Sequence, residues 1–192
     1  MDTSILLEHL NERFSWNSYN FILCIPLNLT INEYDNIYKN FSKEYPENEL
    51  FDRKTLHISF GRFKIKNLEE LNNILNILQK IKNENPNINE KFLYATNKFG
   101  NFNRYFSLYP LLKFDKFNSL IYKYFKISKK YHHDNKPHTT IGMLNKNVKF
   151  NHVDKINFIN KKISINDLRI IAVNPITDSD NEDEYITLNK VI

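Results

Sequence analysis

Two stretches of this chain repeat one order, and that order limits the folds open to it. Tyr19 to Leu27, YNFILCIPL, is an apolar, β-rich run followed by a helical pattern and then a strand-like run holding His57. Arg104 to Leu112, RYFSLYPLL, is likewise followed by a helical pattern and a strand-like run holding His138. The first residue of each run leads its histidine by 38 residues in one copy and 34 in the other. An internal repeat of this kind predicts a pseudo-symmetric, two-lobed α+β protein. The two histidine-bearing strands would then occupy equivalent positions, facing one another across a central cleft.

Those two strands carry the same local pattern. KTLHISFGRF (54–63) places Ser59 two residues after His57, and NKPHTTIGML (135–144) places Thr140 two residues after His138. Side chains alternate along a strand, so each histidine shares a face with its hydroxyl. Pro137 cannot donate to a β-ladder; it suits a strand's first residues and holds Lys136 extended.

The segments around these strands read in order. Residues 3–13 suit a short helix, and Pro26 ends the first strand. Thr30 and Glu33 form a capping box before Ile31, Tyr34, Ile37, Tyr38 and Phe41, and Tyr45-Pro46 stops that helix. Asn67 caps a second helix with Glu70 at the third position, and Asn85-Pro86 stops it. Residues 91–99 form a strand, Gly100-Asn101 a turn, and 104–109 the hairpin partner. A helix over 115–127 precedes the second histidine strand. Residues 151–162 suit either a helix or an irregular turn, and strands at 168–173 and 185–191 flank an acidic, solvated loop, DSDNEDE.

A chain of 192 residues fits one domain, 1–192, built of two closely packed lobes. Its hydrophobic fraction of 41% is enough for a core. The net charge of +5 favours an anionic ligand, though a lysine-rich surface explains it equally well. Cys24 is the only cysteine, which excludes an intrachain disulfide and suits a buried, small apolar role. The acidic N-terminus is unlike a signal peptide and no run has the length of a membrane span. These features point to a monomer in the cytoplasm, or in the host cytoplasm for a viral chain.

Cleaving a phosphodiester by in-line attack needs a base for the nucleophile, an acid for the leaving oxygen and donors for the phosphate. Two histidines titrating near neutrality supply acid and base without a metal or other cofactor. A hydroxyl on the same face of each strand donates to a non-bridging oxygen. With this pairing the chain resembles the two-histidine (2H) phosphoesterase superfamily, which includes the RNA 2′,3′-cyclic phosphodiesterases, also called 2′-5′ RNA ligases. Its signature is two His-x-Thr/Ser motifs, the second often preceded by proline. Pro137-His138-Thr139-Thr140-Ile141 fits the second, and Leu56-His57-Ile58-Ser59-Phe60 the first, with Ser where Thr is commoner. The resemblance implies His57 and His138 as the acid–base pair, tilted toward His138 as base and His57 as acid, with Ser59 and Thr140 as phosphate donors. It implies mainly antiparallel sheets lining the central cleft with helices outside, and a small nucleotide, a cyclic nucleotide or an RNA end as substrate. Alternatives are degradation of a cyclic or 2′-5′ oligoadenylate immune signal, or a nucleotide- or RNA-binding module without turnover.

Singly, each of these histidines reads as an ordinary strand residue; the pairing, the proline and the repeat carry the inference. Lys54, Arg104 and Lys136 lie beside the motifs and would attract phosphate, although such cations are commonly surface charges. Tyr105 and Tyr131 would stack on a base, although aromatic residues here equally suit the core. His132, His133, Asp134 and His138 suggest a metal site. Adjacent histidines on an extended segment point opposite ways, so no metal is expected and His132-His133 are assigned to a loop near the cleft entrance.

Overall fold

The structure is a computed structural model that describes residues 16, 19–44, 50–102, 105–110, 115–125, 131–143, 158–173 and 185–188. Its elements run β1 (Asn20–Pro26), α1 (Ile31–Glu44), β2 (His57–Phe63), α2 (Leu68–Glu84), β3 (Asn89–Phe102) and β4 (Tyr105–Pro110). They continue with α3 (Asp115–Phe125), β5 (Tyr131–Met143), β6 (Phe158–Ser164), a 3₁₀ turn (Ile165–Asp167), β7 (Arg169–Val173) and β8 (Tyr185–Leu188).

Local chemistry sets the helix starts. The Thr30 hydroxyl accepts from Glu33 N–H at 3.2 Å while the Glu33 carboxylate accepts from Thr30 N–H at 2.7 Å, the reciprocal box expected before α1. Asn67 Oδ1 accepts from Glu70 N–H at 2.9 Å before α2, but the Glu70 carboxylate reaches past Asn67 to Lys66 N–H, also at 2.9 Å. At α3 the cap comes from elsewhere in the chain. The Glu90 carboxylate on β3 accepts from the N–H groups of Lys116 and Phe117 at 3.1 and 3.0 Å, placing negative charge at the helix's positive end.

The strands form one antiparallel sheet in the order β6-β3-β4-β5-β2-β1-β7-β8. It divides at its centre into β5-β4-β3-β6 and β2-β1-β7-β8, which are the two halves the repeat predicts. In one half α1 links β1 to β2, and in the other α3 links β4 to β5. The core covers one face of the central strands. Ile58 and Phe60 of β2 are fully buried, and Phe60 meets Phe117 of α3 edge-on at 6.1 Å between centroids. Phe63 meets Phe125 in the same way at 5.1 Å.

Four expectations change. β3 runs through Gly100 and Asn101, which pair with Ser107 and Phe106, so they are strand residues rather than the turn. β5 starts at Tyr131, which puts His132 and His133 on the strand opposite Arg62 and Gly61 rather than in a loop. Residues 158–162 are strand, where a helix or turn was expected. Pro137 lies within β5 rather than at its start, where four residues between His133 and His138 stand against Phe60 alone on β2. The ladder is broken there, which is where a residue lacking an N–H is tolerated. The helix expected at 3–13, the acidic loop, residues 126–127 of the third helix and the ends of the second histidine strand and the last strand, 144 and 189–191, lie outside the described residues. Among the described residues no helix is long and apolar enough to cross a membrane.

Candidate active site

The two histidine strands are the central neighbours of the sheet. Ser59 of β2 stands directly opposite His138 of β5. Opposed residues of an antiparallel pair project to the same face, as do residues two apart on one strand. The pairing of β1 with β2 is regular from Cys24–Ser59 to Pro26–His57, and that of β4 with β5 is regular across Ser107–Thr140 and Leu108–Thr139. His57, Ser59, His138 and Thr140 therefore share one face. Burial alternates to match: Ile58, Thr139 and Ile141 are buried, while the four candidate residues are half-buried. The pairs meet side by side on adjoining strands.

Behind this face one polar contact anchors β5. Tyr94 of β3 and Thr139, both fully buried, share a 2.6 Å hydrogen bond between their hydroxyls. An unpaired hydroxyl there would cost about 1–3 kcal/mol, so the bond helps fix which way residues 138–140 face.

His57 Nδ1 lies 2.9 Å from the Thr55 carbonyl. A carbonyl only accepts, so Nδ1 carries the proton and the neutral ring presents Nε2 with its lone pair. Burial lowers the imidazole to about 4, against the Thr55 contact that raises it, and the neighbouring Arg169 and His138 push it down further. At neutral pH His57 is unprotonated.

The substrate-binding candidates divide. Lys54 is exposed in the turn before β2, its backbone N–H donating to Asp52 Oδ1 at 2.6 Å. Lys136 lies on β5 within the irregular stretch before His138, Tyr131 opens β5 opposite Phe63, and Tyr105 opens β4 opposite Met143. Arg104 lies outside the described residues.

The sequence reading missed Arg169. It is the first residue of β7, opposite Cys24, which is itself opposite Ser59, so Ser59, Cys24 and Arg169 form one row on the candidate face. Cys24 is fully buried, and loss of solvent raises its thiol to about 12, so the Arg169 guanidinium beside it does not make it a thiolate. The only available signal was one cation beginning an otherwise apolar strand, RIIAV.

No protein-family model and no curated protein matches the chain. Solved structures do. The PDE domain of MHV ns2 superposes with a TM-score of 0.56 at 12% identity, covering 88% of this chain and 98% of that one. E. coli LigT, in its complexes with NADP+ and with 3′-AMP, gives a TM-score of 0.57 at 12% identity, covering 88% of this chain and 94% of LigT. Both are members of the 2H phosphoesterase superfamily, and the α+β architecture of this chain is the 2H phosphoesterase fold.

Proposed function

We propose that the chain is a metal-independent phosphodiesterase that cleaves a nucleotide or oligonucleotide phosphodiester, a 2′,3′-cyclic phosphate or a 2′-5′ linkage, by histidine acid–base catalysis. The observation that carries this reading is the gathering of His57, Ser59, His138 and Thr140 on one half-buried face of the two central strands, with Ser59 opposite His138. Structural likeness to a PDE domain, and to LigT bound to nucleotides, supports the same class of reaction and ligand.

In hydrolysis, a water oxygen attacks phosphorus and gives its proton to one histidine as the new P–O bond forms. The opposite P–O bond breaks, and the other histidine protonates the departing oxygen. The neutral His57, with Nδ1–H held by the Thr55 carbonyl and Nε2 therefore the acceptor nitrogen of the ring, suits the base. His138 then supplies the proton, which reverses the tilt drawn from the sequence. An imidazole lowered to about 4 is a weak base alone, but an arriving phosphate anion raises it by stabilising the imidazolium. Ser59 and Thr140 donate to the non-bridging oxygens as charge builds there.

The test is an assay with EDTA on 2′,3′-cyclic nucleotides, 2′-5′ oligoadenylate and cyclic dinucleotides, comparing wild type with His57→Ala and His138→Ala. Cleavage of at least one substrate, lost in both variants, is expected. Tight binding without turnover would instead identify a binding module.

A further inference from the structure

The two halves of the sheet share one strand order but differ in the row that flanks the histidines. In one half the row runs Ser59, Cys24, Arg169; in the other it runs Thr140, Ser107, Gly100. The same position thus holds a guanidinium on β7 and no side chain on β3. Cys24 and Ser107, the middle residues, are both fully buried.

Arg169 is also incompletely satisfied. Among the described residues its Nε is buried without a hydrogen-bond partner, a condition that native structures avoid unless a ligand, ion or water supplies the acceptor. The groups beside it on this face, the Cys24 thiol and the His57 imidazole, are both neutral at pH 7. Among the described residues no carboxylate pairs with this guanidinium, whereas a partly buried cation is normally accompanied by an anion. Neighbouring strands lie about 4.8 Å apart, so Arg169 begins roughly 10 Å from Ser59, a span that an extended arginine side chain largely covers.

We infer that Arg169 is the anion-binding residue of this face and that it seats a phosphate group of the substrate over the β1–β7 half, leaving the Gly100 side of the sheet to the uncharged part of the ligand. This rests on the phosphodiesterase reading for its substrate, and it deepens that reading by making the two histidines inequivalent. Among the described residues a guanidinium stands on one flank of this face, which fixes the direction in which a phosphodiester lies, and with it which histidine faces the leaving oxygen. Arginine suits the role because its planar fork holds two oxygens of one phosphate.

The experiment titrates the full chain with inorganic phosphate, following the Arg169 Nε–Hε resonance and the affinity, for wild type, Arg169→Lys and Arg169→Gln. Thermal unfolding confirms that each variant is folded. The Nε–Hε resonance should move on binding. Affinity should fall about 10- to 100-fold in Arg169→Gln, as for loss of a charge-assisted hydrogen bond, and less in Arg169→Lys. An unmoved resonance, or Arg169→Gln binding phosphate as wild type does, would overturn the assignment. Arg169-dependent phosphate binding in a chain that cleaves none of the phosphodiesters would uphold the anion site and remove the phosphodiesterase reading. Cleavage that Arg169→Gln leaves unchanged in kcat and KM would uphold that reading and remove the anion site.

Discussion

Acidification should expose the cost of holding His57 neutral. An ordinary histidine titrates near 6.5, whereas His57 in the fold titrates at about 4. As pH falls, the unfolded chain therefore takes up its proton first. The stability that depends on a neutral His57 is complete above pH 6.5 and is lost as pH falls through the window from 6.5 to 4. A gap of about 2.5 pH units corresponds to about 3 kcal/mol, a large share of the total for a domain of this size. Urea denaturation at closely spaced pH values would measure it, with His57→Asn as reference because its amide keeps a donor for the Thr55 carbonyl. Carboxylates that titrate in the same range are common to both proteins, so the difference between the curves isolates His57. The gap between wild type and variant should shift by about 3 kcal/mol between pH 7 and pH 4. A flat difference, or a His57 resonance titrating near 6.5, would refute the burial argument.

Three further outcomes are expected. Tyr94→Phe strands the buried Thr139 hydroxyl and should cost about 1–3 kcal/mol in chemical denaturation, with much of the loss recovered in the double variant Tyr94→Phe/Thr139→Val. Asn67→Ala removes the α2 cap and should cost about 1 kcal/mol, leaving any turnover unaltered; a drop in kcat would show that α2 communicates with the site. Ser59→Ala and Thr140→Ala should each lower kcat about 10²- to 10³-fold with little change in melting temperature, and unchanged kcat in either would remove that hydroxyl from the mechanism.

What could be read from the sequence was what depends on near neighbours. The Thr30–Glu33 box and the Asn67 cap act within one turn, and the His-x-Ser/Thr spacing settles a shared face by strand alternation alone. What could not be read depends on distant pairing. The link from Ser59 to Arg169 passes through Cys24 on a third strand, and no spacing in the chain encodes it. The Glu90 cap of α3 is hidden for the same reason. Gly100-Asn101 has turn composition, but pairing with Ser107 and Phe106 overrides that preference. The polar stretch from His132 to Lys136 has low strand propensity, and its position beside β2 decides the matter. In β6 the inward-facing position between Ile159 and Ile163 is Lys161, whose ammonium pairs with Glu33 at 2.5 Å. A lysine there breaks the alternation and leaves two isoleucines four apart, the spacing of a helix.

The central claim is that His57 and His138 act as one acid–base unit, and the kinetics of His57→Ala, His138→Ala and the double variant on the best substrate test it most directly. Residues that serve a single step are not additive. Each single variant should lose at least about 10²-fold in kcat, and the double variant should lose little more than the worse of the two. Losses that multiply in the double variant, or turnover that survives both substitutions, would contradict the account.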